Sequence, residues 1–443
     1  MNFPYSKVLV LGLGRSGMAV ANLLLTSGIE VTVNDRNEDK TEQIKNLIRN
    51  GAEVILGSHP ASILDGIQLI IKSPGISYDH QLIKLALNMD LPIITDIELI
   101  QYVFSGPIIG ITGSNGKTTT TRLVEEMFKA DDIKCTVAGN IGIPVSEVAP
   151  TIPENRKLVL ELSSFQLLGI ETFKPHISVL LNIYDAHLDY HKTRENYEQA
   201  KFNIFKNQNN SDYLVYNLDD DTVREAVKQA ESILVPFSQI ECLEEGVWVK
   251  NRKIYFMKEE IIHQDKIVLA GDHHLENILA AIAVAKINGV SKEAIEKTLT
   301  SFRGVKHRLQ FVDEIKKRRF YNDSKATNML ATIKALQAFD SPIILLAGGL
   351  DRGDDFKSLI PYLTNVKSMI VFGENAEKLI KIAKKCSLSV QRVRDVEEAA
   401  IVAYEKSVEG DTILLSPASA SWDQYRSFEE RGDMFINTVH KLY

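Results

Sequence analysis

The chain has 443 residues, of which 44 % are hydrophobic and 25 % charged. That composition supplies several buried cores and excludes a disordered, collagen-like or disulfide-stapled miniature protein. A net charge of −7 sets a field that repels nucleic acid and anionic membrane. Cys135, Cys242 and Cys386 stand far apart without a CxxC spacing, so a disulfide framework or zinc cluster is not expected, and the three thiols read as buried bystanders in a reducing compartment.

Residues 1–5 lack the charged start and cleavage site of a signal peptide, and the apolar run at 8–13 is far shorter than the ~20 residues that span a bilayer. A cytoplasmic protein without membrane insertion is expected. From residue 7 onward, short β-branched or leucine-rich runs alternate with helical patterns, the signature of parallel sheets covered by helices. Strands at 7–11, 30–34, 53–56 and 69–72 and helices at 14–27 and 39–50 make a first α/β unit ending near Asp96. Within it, Gly12-Leu13-Gly14-Arg15-Ser16-Gly17 follows a strand and opens a helix, with Asp35 at the end of the second strand. This satisfies the dinucleotide fingerprint. Taken alone it says NAD, yet a helix N-terminus binds a diphosphate whichever nucleotide carries it, and another diphosphate ligand is the favoured reading. Ser73-Pro74-Gly75-Ile76 offers a second turn at the same sheet edge, or an ordinary loop.

A second unit begins with a strand at 107–112 and a helix at 116–129, continues with strands at 134–138, 157–162, 177–181 and 212–216, and ends with a helix at 275–288. Between strand and helix lies Gly113-Ser114-Asn115-Gly116-Lys117-Thr118-Thr119. A P-loop needs this context, because a glycine-rich turn and a helix N-terminus direct backbone N–H groups at phosphate oxygens. Lys117 would reach the terminal phosphates and the Thr118 hydroxyl would bind Mg²⁺. ATP is the expected nucleotide, although nothing in the loop excludes GTP. One departure stands out: Ile111 occupies the place of the first glycine of the pattern, with Gly110 one residue early. Segment 219–268, with short strands and charged turns, breaks the α/β rhythm and is expected to form a small antiparallel flap.

Glu161, closing an apolar strand, is placed either to give Mg²⁺ a hard oxygen ligand or to form a strand-end salt bridge. His187 and His191 have the i,i+4 spacing of a zinc pair on a helix, but no third ligand is apparent, which disfavours zinc. By spacing alone, Lys201 is a solvated helix lysine. A third unit starts near Arg303, with strands at 319–322, 342–347, 368–372, 389–392 and 411–415 and helices between them, again doubly wound; the basic run 316–319 is expected to be an exposed strand turn.

Three longer stretches are more specific: Leu160-Glu161-Leu162-Ser163-Ser164-Phe165-Gln166-Leu167, Asn322-Asp323-Ser324-Lys325-Ala326-Thr327-Asn328, and Ser416-Pro417-Ala418-Ser419-Ala420-Ser421-Trp422-Asp423-Gln424-Tyr425. With the phosphate loop, they resemble the Mur ligase superfamily, in particular its D-glutamate-adding branch, across the whole chain. The resemblance implies a Rossmann-like N-terminal domain for a UDP moiety (1–96), a central P-loop ATPase-type α/β domain (97–304), and a Rossmann-like C-terminal domain for the amino acid (305–443) whose movement closes the site. It implies an ATP-dependent amide ligase of cytoplasmic peptidoglycan precursor synthesis, with UDP-N-acetylmuramoyl-L-alanine and D-glutamate as substrates beside ATP, and a monomer is expected.

Carried over residue by residue, the resemblance makes Lys117, Glu161, His187 and Lys201 catalytic. Glu161 and His187 would ligate a second Mg²⁺, and Lys201 would be carbamylated by CO₂ to help hold the magnesium site. ATP would be bound by Gly113, Ser114, Asn115, Gly116, Lys117, Thr118 and Thr119, by Asn277 at the adenine, Arg308 and Lys325 near the phosphates and Asp323 at the ribose. Gly14, Arg15, Ser16, Ser73, Gly75 and Asn140 would approach the UDP substrate, with Asp35 and Arg36 near the uracil. Thr327, Arg352, Ser421, Trp422 and Phe428 would form the D-glutamate pocket, where arginine at 352 replaces the more usual lysine and tryptophan at 422 a frequent leucine. Bidentate carboxylate binding by arginine preserves the substrate class. Rival readings are a folylpolyglutamate synthase, which lacks a Rossmann-like unit ahead of the loop, an NAD-dependent dehydrogenase with an ATP-binding domain, and a non-catalytic ATP-binding regulator.

Overall fold

The computed structural model describes residues 3–38, 41–269, 274–339 and 341–442. Its strands form three sheets. The first contains β1 (Lys7–Leu11), β2 (Glu30–Asp35), β3 (Glu53–Leu56), β4 (Leu69–Lys72) and β5 (Ile93–Ile94), all parallel, in the order β3-β2-β1-β4-β5. β1 and β4 are unbroken apolar runs because helices cover both faces of the sheet. Strand order reverses between β1 and β4, and ligands of open α/β sheets bind in the crevice at such a reversal. The Gly12 turn leaves β1 at that point and the 73–76 turn leaves β4 beside it, joined by the Ser73 hydroxyl donating to Gly12 O at 3.0 Å. The expected helix at 39–50 is observed as Glu42–Arg49, with positions 39–40 outside the described residues.

The second sheet has nine strands: β6 (Ile108–Thr112), β7 (Cys135–Gly139), β8 (Lys157–Glu161), β9 (Ile177–Leu180), β10 (Tyr213–Asn217), β11 (Ile233–Ser238), β12 (Val247–Lys250), β13 (Lys253–Phe256) and β14 (Glu259–His263), ordered β14-β13-β12-β11-β10-β9-β6-β8-β7. The flap expected over 219–268 is therefore corrected. Its hairpins are antiparallel, but they extend the central sheet through β11 and β12 rather than standing apart. Val247, Ile254, Ile261 and Ile262 are buried, which supplies the reason: an isolated hairpin has no core, and apolar residues on these strands need a sheet and helix to pack against. The helix Leu275–Ile287, buried continuously from Asn277 to Ala285, provides that cover.

The first two sheets belong to one compact unit, residues Met1–Lys266 with Leu275–Thr298, and the third to another, Ile267–His274 with Leu299–Tyr443. Within the first unit the two sheets are joined by buried Glu98, whose carboxylate accepts N–H bonds from Glu171 at 2.9 Å, Thr172 at 2.8 Å and Phe173 at 3.0 Å. The third sheet runs β15 (Gln310–Ile315), β16 (Arg318–Asn322), β17 (Ile343–Gly348), β18 (Val366–Phe372), β19 (Ser389–Arg392) and β20 (Thr412–Leu415), in the order β15-β16-β20-β17-β18-β19. Only β15 is antiparallel. Its polar edge sequence hides it from a search for apolar runs. Of the exposed turn expected over 316–319, only Lys316 and Lys317 form the β15–β16 turn, in the left-handed region, while Arg318 and Arg319 are half-buried in β16.

One expectation about the cysteines is overturned. All three are free thiols, but Cys242, in the loop after β11, is exposed, and Cys135, opening β7, and Cys386, at the margin of the third-sheet core, are only half-buried. Among the described residues no helix is long and apolar enough to cross a membrane.

Candidate active site

The phosphate loop joins β6 to the helix Lys117–Ala130. Gly116 has φ +83° and Gly113 φ +155°, conformations open to glycine and strained for other residues. Loop backbone is fixed from below by Asn182: its side-chain oxygen accepts from Asn115 N at 2.9 Å and its carbonyl from Ser114 N at 2.9 Å. The Ser114 hydroxyl bonds the Tyr197 hydroxyl at 2.7 Å. Lys117 folds back over the loop, its Nζ donating to Gly113 O at 2.7 Å and Ser114 O at 2.9 Å. The departure at Ile111 has a structural reason. Gly110 and Ile111 are both inside β6, where a Cβ on Gly110 would lie 2.9 Å from Pro175 Cγ, so the early glycine serves sheet packing and the loop begins at Gly113.

Register between β7 and β8 sets Gly139 opposite Glu161 and brings Asn140 onto the carboxylate. Glu161, 2 % exposed, accepts from the Thr118 hydroxyl at 2.6 Å on one oxygen and from Asn140 Nδ2 at 2.8 Å on the other. Lys201 is also 2 % exposed, which removes the solvated-helix reading of its spacing. Its Nζ donates to Gly113 O at 2.8 Å and lies 5.0 Å from the Tyr197 ring centroid. Burial chiefly, then the neighbouring Lys117 charge, pushes the Lys201 pKa well below the lysine range, with Glu161 opposing. The structure thus brings Lys117, Thr118, Asn140, Glu161 and Lys201 to one loop. Thr118 and Glu161 present hard oxygens already within hydrogen-bonding distance of each other, a donor set suited to Mg²⁺.

His187 is the left-handed N-cap of the short helix Leu188–His191, its ring edge-on to Phe165 at 4.9 Å and 6.4 Å from Tyr197. His191 is buried, with Nε2 3.0 Å from the Ser164 hydroxyl. Nε2 of His191 is therefore already engaged, and among the described residues no three or more His, Cys, Asp or Glu side chains are gathered into one cluster. Asn277 lies against the loop: a Cβ on Gly116 would come within 1.9 Å of Asn277 Oδ1.

At the first glycine turn, Asp35 is occupied by backbone. One carboxylate oxygen accepts from Leu13 N and the other from Asn37 N at 2.8 Å. Arg15 Nη1 donates to Gly142 O at 2.8 Å, linking this turn to the loop after β7. Ser16 lies near Asp96, whose carboxyl burial holds above its usual pKa. Arg36 is exposed. A Cβ at Gly14 or Gly75 would meet open space, so packing demands neither glycine.

In the second unit, β16 ends at Asn322, so that Asp323 emerges at the carboxyl edge of the third sheet. Asp323 accepts from Ser416 Oγ at 2.9 Å and Leu309 N at 3.1 Å, and burial pushes its pKa up to about 7. Lys325 Nζ lies 5.7 Å from the Phe428 ring centroid. Arg352, exposed, stacks 5.0 Å over the Trp422 ring, which is 65 % exposed. Thr327 is half-buried, and Ser421 is 1 % exposed with a hydroxyl that has no hydrogen-bond partner. The sequence reading missed Arg431. Fully buried, it donates to Ser324 O at 2.9 Å, Ser419 O at 3.0 Å and Gly348 O at 3.3 Å, gathering the ends of β16, β20 and β17. Its only sequence signal is a charged residue on the apolar face of the helix Phe428–Val439.

Because the folded pKa of Asp323 exceeds its ordinary value, its contribution to stability is present at low pH and lost as pH rises through about 7. Asp323→Asn should abolish that loss, which amounts to at most about 4 kcal/mol. Denaturant unfolding at acid and alkaline pH is the measurement; an unchanged pH slope in the variant would contradict the assignment.

Three protein-family models match the chain: Mur ligase MurD-like, N-terminal domain, over residues 6–95; Mur ligase middle domain, over 111–285; and Mur ligase, glutamate ligase domain, over 307–419. It is 54 % identical to the UDP-N-acetylmuramoylalanine--D-glutamate ligase of Oceanobacillus iheyensis, covering 100 % of this chain and 99 % of that protein. Identity to the Bacillus subtilis protein of the same name is 52 %, covering 98 % and 97 %. Among solved structures, UDP-N-acetylmuramate-alanine ligase MurC from Thermotoga maritima aligns with a TM-score of 0.57 at 20 % identity over 99 % of this chain and 100 % of that one. MurF ligase from the same organism, in complex with ADP, aligns with a TM-score of 0.55 at 20 % identity, covering 94 % and 96 %.

Proposed function

This chain belongs to the Mur ligase family, and from that premise we propose that it joins D-glutamate to UDP-N-acetylmuramoyl-L-alanine, with cleavage of ATP to ADP and phosphate, in cytoplasmic peptidoglycan precursor synthesis. The observation that carries the reading is the convergence of Lys117, Thr118, Glu161 and Lys201 on one phosphate loop, in a chain that matches the named ligases along its full length.

A carboxylate is a poor electrophile until one oxygen becomes a leaving group. Its oxygen attacks the γ-phosphorus, ADP departs, and an acyl phosphate results. The amine of D-glutamate then attacks the acyl carbon, loses a proton, and phosphate leaves. Like charges meet in the first step, so cations must surround the phosphates. The loop N–H groups and Lys117 take this role, Lys117 exchanging its carbonyl partners for phosphate oxygens. Thr118 and Glu161, with His187, would hold Mg²⁺; when bound, the ion neutralises phosphate charge. Burial and the Lys117 charge lower the Lys201 pKa and so raise the share of neutral amine, the form that adds CO₂; its carbamate would be a further anion beside the metal ligands. Asn277, Arg308, Asp323 and Lys325 are assigned to ATP.

Gly14, Arg15, Ser16, Arg36, Ser73, Gly75 and Asn140 are assigned to the UDP substrate. Asp35 is assigned to the same substrate, near the uracil, and also orders the turn. Thr327, Arg352, Ser421, Trp422 and Phe428 are assigned to D-glutamate, where the planar guanidinium of Arg352 suits a carboxylate.

The test is ADP release from ATP, magnesium and UDP-N-acetylmuramoyl-L-alanine with different amino acids. Release should depend on D-glutamate. Equal stimulation by L-lysine, meso-diaminopimelate or D-alanyl-D-alanine would overturn the acceptor assignment.

A further inference from the structure

Strand β4 reads Leu-Ile-Ile-Lys, and its last residue, Lys72, is 1 % exposed. No carboxylate pairs with it at ion-pair distance among the described residues. Its Nζ donates instead to Ile76 O at 3.0 Å, Pro74 O at 3.4 Å and the Tyr190 hydroxyl at 3.1 Å, and sits 4.8 Å over the Tyr78 ring. The Tyr190 hydroxyl donates in turn to the same turn, with Ile76 O at 2.9 Å and Pro74 O at 3.2 Å. Burial lowers the Lys72 pKa to about 8, with only Asp96 opposing. Burying an ammonium this way is costly, and an apolar residue would end the strand at lower cost. What the lysine adds is donors for two carbonyls that the 73–76 turn directs inward.

Tyr190 belongs to the helix Leu188–His191, which begins at His187, and its N–H donates to His187 O at 3.1 Å. Its ring packs edge-on against Phe165 at 4.6 Å, the ring that also meets His187. An outer ion pair runs parallel to this contact, Lys192 to Asp79 at 2.7 Å. One continuous path therefore leads from the Ser73 turn to the histidine segment beside the phosphate loop.

We propose that Lys72 and Tyr190 act together as positioning residues, a staple that fixes the 73–76 turn to the His187 segment and holds the nucleotide-sugar substrate in register with the phosphate-transfer groups. This rests on the assignment of Ser73, Gly75 and His187 to the ligase reaction. Neither residue need touch substrate; both act through the turn.

Tyr190→Phe removes one hydroxyl and Lys72→Met replaces the lysine with an apolar chain of similar length, each in the full chain. Hydrogen exchange, which is independent of turnover, should speed up in residues 74–78 of both variants, at unchanged exchange in the third-sheet unit. In steady state, KM for UDP-N-acetylmuramoyl-L-alanine should rise by about tenfold in each variant, with KM for ATP within about twofold of the parent. The double variant should be little worse than either single one, since the two donors work as a unit. Unchanged exchange at 74–78 overturns the staple. Faster exchange with no change in the KM of the nucleotide sugar, or an equal rise in every KM, overturns its positioning role. Were the parent protein to show no D-glutamate-dependent ADP release, the ligase reading would fail while the exchange result still judged the staple.

Discussion

Lys201→Arg should lower D-glutamate-dependent ADP release by at least about a hundredfold without unfolding the protein. Lys201 stands at 2 % exposure with Lys117 as its charged neighbour, and both burial and that neighbour favour loss of its proton. Arginine cannot follow, because the guanidinium keeps its proton at any accessible pH and cannot add CO₂. The variant would place a permanent cation where the proposed chemistry needs an anion beside Glu161 and Thr118. Circular dichroism and ATP binding check that the fold and loop persist. Depleting dissolved CO₂ should slow the parent enzyme and leave the residual turnover of the variant unchanged. Turnover like the parent's in Lys201→Arg would remove the carbamate from the account.

Gly116→Ala should damage the phosphate loop with a single added methyl group. Two costs combine. A left-handed φ of +83° is unfavourable for alanine by about 1 kcal/mol. The new Cβ would also stand 1.9 Å from Asn277 Oδ1, an overlap that forces the buried Asn277 side chain out of its position against the loop, or the loop itself to shift. Nucleotide affinity should fall by about a hundredfold and stability by about 2–3 kcal/mol. Calorimetric titration with ATP and denaturant unfolding measure the two effects. An affinity within twofold of the parent would show that the loop accommodates the methyl group.

Much of the fold was legible because parallel sheets announce themselves. β1, β4, β6 and β17 are buried on both faces, so each appears as an uninterrupted apolar run. β15 and the strands from β11 to β14 were harder to read. They are partly polar and their partners are set by tertiary packing, so a local pattern suggested a separate flap where the sheet continues. The phosphate loop was equally legible, since glycines at defined spacing before a helix express a local backbone requirement.

Charged side chains at buried positions divide the other way. Nothing in the spacing of Lys201 distinguishes it from a solvated helix lysine, and Lys72 and Arg431 gave only the faint signal of a charge on an apolar face. Their roles depend on which carbonyls lie opposite: Gly113 for Lys201, Ile76 for Lys72, Ser324 and Ser419 for Arg431. The same holds for the two glycine motifs, whose N–H groups are offered by local geometry while their surroundings are not. By itself the sequence determined three α/β sheets, a phosphate loop and, through its longer motifs, the ligase family. Tertiary structure decided which ions are buried and what each one holds, because burial and hydrogen-bond partnership depend on strand register and on segments distant in sequence, and no local pattern encodes them.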